Sequence, residues 1–117
     1  MKALILFFSL FALFNTATAQ SAVGKIDQAQ KLDTLEVACG MCQFEMKGKD
    51  CALAVRLHDK SYYVEGTHID AHGDAHAKDG FCNMMRKAEV QGALVGDKYK
   101  VTYFRLLPVA KHTSAKQ

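Results

Sequence analysis

Three features predict a mainly β fold. Five short segments carry strand-type patterns, one short run at helical spacing lies between the third and fourth, and a Gly-Asp pair joins the last two as a tight turn. That order, strand-strand-strand-helix-strand-strand, is that of a small five-stranded OB-like barrel with one short helix between strands 3 and 4. Closing the sheet hides most strand edges, which suits a chain with so small a core. A different small sheet with one helix packed on it is the alternative.

The first strand is "LDTLEVA", residues 32–38, which alternates. The second is "CALAVRL", residues 51–57, with Leu53, Val55 and Leu57 on one face and Ala52, Ala54 and Arg56 on the other. "HDKS" is a polar turn, and "YYVEG", residues 62–66, is the return strand. "THIDAHGDAHAKDG", residues 67–80, has no clean period and reads as a long loop. "FCNMMRKA" places Phe81, Met84, Met85 and Ala88 at i, i+3, i+4 and i+7, the stripe of a short helix, with Asp79 as its cap. "EVQGALV", then Gly96-Asp97, then "KYKVTYFRLL" reads as a hairpin, ended by Pro108.

The N-terminal "MKALILFFSLFALFNTATAQ" has a basic start at Lys2, an apolar run from Ala3 to Phe14 and the small-x-small pattern Ala17-Thr18-Ala19. This is the pattern of a secretory signal peptide, and the run is shorter than the about 20 residues that a membrane span needs. The expected organisation is signal peptide 1–19, flexible leader 20–31, a single OB-like Cys/His domain 32–108 and a frayed tail 109–117. The expected location is periplasmic or secreted, with no membrane anchor after cleavage. The formal net charge is +3, and the basic residues are scattered rather than massed, so nucleic acid is not an expected partner.

The chemistry lies in four cysteines, three of them in "CGMCQFEMKGKDC", residues 39–51. In an exported small domain such thiols are normally oxidised or metal-bound. Cys39 and Cys42 form a C-x2-C step that can aim two sulfurs at one ion. Cys82 stands at the start of the predicted helix, and the preceding loop holds His72 and His76 in an H-x3-H pair, with His68 one step earlier. The expected ligand set is therefore Cys39, Cys42, Cys82, His72 and His76, for zinc or copper. Met41 and Met46 are soft donors nearby that would favour copper, although methionines are as readily core. On this reading the protein is a binding or sensing module for a soft transition metal, and the metal ion is its expected partner.

Two other readings use the same residues. Four cysteines allow three disulfide pairings, and a bridge from Cys39 or Cys42 to Cys51 with another at Cys82 would make a stapled structural or interaction domain of the cell envelope, partnered by an envelope protein. The CGMC step could also serve a thiol-disulfide redox protein, but only eight residues separate Cys42 from Cys51 and no long helix fits there. No acyl-transfer or glycosidase constellation stands out, so no catalytic residue is assigned.

The segments "CGMCQFEMKGKDCALAV", "HGDAHAKDGFCN" and "RKAEVQGALVGDKYKVTYFRLLP" together resemble a family of small exported bacterial proteins known only as a domain of unknown function. The resemblance runs over residues 35–108 and implies no established activity. The second half also resembles exported OB-like domains with a cysteine-bearing loop after the first strand.

Overall fold

The computed structural model describes residues 22–109. The predicted signal peptide and most of the predicted tail lie outside them. The elements are β1 (Val23–Gly24), β2 (Asp33–Cys39), α1 (Gly40–Gln43), β3 (Leu53–Leu57), β4 (Lys60–Glu65), β5 (Arg86–Val95) and β6 (Lys98–Leu106). Strands β2 to β6 close into a barrel in the order β6-β4-β3-β2-β5, with β5 returning to β6. All pairs are antiparallel except β4 with β6. This is a mainly β fold, a closed five-stranded mixed barrel with one short helix, as the sequence predicts.

Local chemistry sets the turns. Leu57 pairs with Lys60 across His58 and Asp59, whose φ values of 49° and 67° are those of a type I′ hairpin turn. Val95 pairs with Lys98 across Gly96-Asp97, with Gly96 at φ 65°. The β5–β6 ladder slips by one residue at Gln91/Gly92. Only glycine fits there, because a Cβ on Gly92 would meet the Lys100 carbonyl oxygen at 2.3 Å.

Alternation fills the interior. Val37, Leu53, Val55, Val90, Val101 and Phe104 are among the buried residues of the main core, closed at one end by Ile69, Ala75 and Phe81 from the β4–β5 loop. A second, smaller apolar cluster joins Ala38, Ala54 and Phe44, covered by Met46 and Tyr63. The Arg56 guanidinium lies 4.6 Å over the Phe44 ring and reaches Glu36 at 3.3 Å.

One expectation needs correction. Residues 81–88 do not form a helix: Phe81 to Asn83 are turns, and β5 begins at Arg86. Pairing overrides the helical stripe, since Arg86 to Val90 pair with β2 and Ala88 to Val90 pair with β6 as well. The helix is instead α1, immediately after β2. Four residues of the segment expected to be a flexible leader contact the barrel. Val23 and Gly24 pair with β6, and the buried amide of Gln91 accepts from the Asp27 N–H and donates to the carbonyls of Asp27 and Gln30.

Candidate metal centre

Strand directions bring three cysteine-bearing segments to one barrel end. β2 ends at Cys39, and both β3 and β5 run antiparallel to it, so their starts lie beside its finish. Cys51 stands two residues before β3, and Cys82 four residues before β5. Two backbone bonds lock the junction. The Cys39 N–H donates to the Phe81 carbonyl at 2.9 Å, and the Gly40 N–H donates to the Ala52 carbonyl at 2.9 Å. The Gln43 side chain adds a bond from Nε2 to the Cys82 carbonyl at 3.0 Å.

The sulfurs of Cys39, Cys42, Cys51 and Cys82 all lie within 4.8 Å of one another. Cys51 and Cys82 are 3.7 Å apart. All four are free thiols, with Cys39 buried, Cys82 half-buried, and Cys42 and Cys51 exposed. A tetrahedral ion with metal–sulfur bonds of about 2.3 Å sets its sulfurs roughly 3.8 Å apart, so four thiolates would close on one ion with little movement.

Charge is unevenly shared among these thiols. Burial raises the Cys39 thiol, but the Cys42 N–H, the Cys42 and Cys51 thiols and the Met41 N–H outweigh it and hold Cys39 below the ordinary thiol range. Cys42 is pushed up to about 11, first because its thiol serves Cys39 as a donor and then by burial. Cys82 is pushed well above the usual range by burial first, then by Cys51 and Cys42. Of the four, Cys39 is thus the sulfur on which negative charge is best supported. A bound cation overrides that difference, because a coordinating thiol is deprotonated outright.

Three of the five expected ligands, Cys39, Cys42 and Cys82, are therefore brought together, and Cys51 joins them. His72 and His76 are not part of the sulfur group. His72 Nε2 is 2.8 Å from the Thr67 hydroxyl, and its ring packs against Phe104 and Phe81 at centroid distances of 4.5 and 6.1 Å. His76 is exposed, with its ring 4.0 Å from the Asp74 carboxylate. Gly73 separates the two, and the loop turns rather than winding as a helix, so the H-x3-H spacing does not put both rings on one face. Met46 packs against the smaller apolar cluster, and Met41 is exposed.

Cys51 was legible through topology rather than motif. Once residues 32–38 and 51–57 are paired as a hairpin, the end of one and the start of the other must meet.

The family described as "Family of unknown function (DUF6370)" matches residues 33–107. The chain belongs to this family. The DUF6370 match takes in the whole barrel from β2 to β6 and all four cysteines, so the sulfur group lies entirely within the family's segment. No curated protein and no solved structure matched the chain. Among the described residues of this DUF6370 member, no helix is long and apolar enough to cross a membrane.

Proposed function

We infer that this chain is an exported single-domain module that holds one soft transition-metal ion, zinc foremost, through Cys39, Cys42, Cys51 and Cys82. The observation that carries the reading is the mutual approach of four sulfurs, from three separate segments, to within 4.8 Å. Their chemistry supports the choice of ion. A tetrahedron of four sulfurs suits zinc, whereas carboxylates and carbonyls would suit magnesium or calcium. The frame also fits a holding role: Cys39 is fixed by the β2–β3 ladder and by its bond to Phe81, and Cys82 by its N–H bond to the Ala75 carbonyl at 2.9 Å. A site with all four positions filled by thiolates has no open place for substrate, which favours structural holding or sensing over catalysis. Export rests on the N-terminal pattern.

The test is native mass spectrometry of the freshly exported full chain, with thiol counting and metal titration. The expected result is one zinc per chain, four thiols released on chelation, and a mass lacking residues 1–19. Copper(I) offered in competition tests the choice of ion. A native protein with no metal and no free thiol would instead make the cluster a pair of disulfide staples.

A further inference from the structure

A second feature adjoins the sulfur group. A cavity of about 240 Å³ is lined by Cys51, Leu53, Val64, His68 and Asp70 among others. It lies below the about 300 Å³ at which sites for drug-sized molecules begin, so a metabolite is a poor occupant. Its lining offers an imidazole, a carboxylate and a thiol, donor types that suit a cation. Thr67 and Ile69 are buried at 8% exposure each, while His68 and Asp70, which alternate with them, are exposed and border the cavity. The Thr67 hydroxyl is held by His72, and the His68 carbonyl accepts from the Ala71 N–H at 3.0 Å. Two anchored neighbours thus fix the backbone on which the two donors stand.

We propose that this cavity is the loading port of the metal centre, where Asp70 and His68 capture a hydrated divalent cation and pass it to Cys51. The proposal rests on the four-cysteine reading above. Cys51 is the one cluster sulfur that borders the cavity, and it is exposed. Capture proceeds by stepwise exchange: each new bond from oxygen, nitrogen or sulfur displaces one water from the ion, and the Cys51 thiol gives its proton to solvent as its sulfur binds. One carboxylate and one imidazole hold a soft ion more weakly than four thiolates, so the ion moves inward rather than resting at the port. The port acts on the path and not on the end state. Entry and exit share a path, so removing it slows both directions equally.

The experiment is stopped-flow mixing of zinc with the reduced full chain, with release measured into a chelating dye. In the double variant His68→Ala, Asp70→Asn, both association and dissociation should fall by about tenfold at an unchanged Kd, the lower end of what charged clefts contribute to on-rates. Asp74→Asn removes a charge from the same loop away from this cavity, and both of its rates should match those of the unaltered chain. The single variants His68→Gln and Asp70→Asn repeat the measurement with smaller changes should the double variant fold poorly. Unchanged rates in all the port variants overturn the proposal. A weaker Kd with faster release also overturns it, because the two residues would then be resident ligands. Failure of the unaltered chain to bind zinc removes the four-cysteine reading and the port together, and is distinguished by occurring before any substitution.

Discussion

His72 shows how one side chain can satisfy a motif and serve another purpose. Its spacing from His76 suggests a metal ligand, yet its ring is half-buried against Phe81 and Phe104. Burial holds its imidazole below the ordinary histidine value, because the charged form would lose water. The linkage sign follows. The folded state favours the neutral ring, so its contribution is fully present above the unfolded pKa of about 6.5 and is lost as pH falls through the lower folded value. In the metal-free reduced protein, urea unfolding at about pH 7.5 and about pH 5 should show this acid loss in the unaltered chain and a smaller one in His72→Gln. Equal slopes would mean that the ring titrates alike folded and unfolded. Cys51 is the converse case. Its spacing from Cys42 matches no standard zinc motif, and only the strand pairing behind it reveals its neighbours. Side-chain type was therefore a good guide to the cysteines of the C-x2-C step and a poor one to the histidines. A thiol gains little from apolar packing beyond its small size, whereas an imidazole packs against aromatic rings on its own account.

Elements were legible where one face is buried. β3 and the β5–β6 hairpin follow the sequence closely, because a one-residue slip would turn Val55, Val90 or Phe104 out of the core. The segment from Phe81 to Ala88 reads as a helix because its apolar residues satisfy two patterns at once. Phe81 and Ala88 are both buried, but Phe81 closes the barrel end while Ala88 belongs to a strand that pairs on both sides. No local propensity distinguishes these cases, since the ladder partners come from residues 33–37 and 104–106. The turn that replaces the helix depends on Gly80. A Cβ there would meet the carbonyl oxygens of Asp74 and Ala75 at 2.4 and 2.3 Å, both backbone atoms that cannot swing aside. The Gly80 carbonyl also accepts from the N–H groups of Asn83 and Met84 at 3.0 and 3.1 Å, which curls the chain around Cys82. Gly80→Ala should therefore destabilise the domain by about 1–3 kcal/mol, the usual cost of overpacking, and weaken zinc binding by displacing Cys82. Urea unfolding with zinc titration checks both, and an unchanged affinity would show that this turn does not set the position of Cys82.

At the scale of the molecule, the barrel and the sulfur group depend on one another. The domain is small, and its cysteines join the end of β2 to the approaches of β3 and β5, segments far apart in sequence. An ion held by all three fixes them together in the folded state alone, and binding of that kind stabilises the fold by mass action. At free zinc about one hundred times Kd the gain is about 2.7 kcal/mol. For a domain of this size each kcal/mol moves the midpoint by about 4–8 °C, so zinc should raise Tm by roughly 10–20 °C over the chelated protein. Cys82→Ser should lose most of that rise while remaining folded at lower temperature, because the hydroxyl replaces a weak-donor thiol of similar size. The stapled alternative predicts a different pair of responses. Two disulfides would make Tm indifferent to a chelator and sensitive to a reductant, since their effect arises from constraint of the unfolded chain. Thermal unfolding in four conditions, with zinc or chelator and with or without reductant, separates the two. A midpoint that follows zinc under reducing conditions supports the metal centre, and one that follows only the reductant removes it.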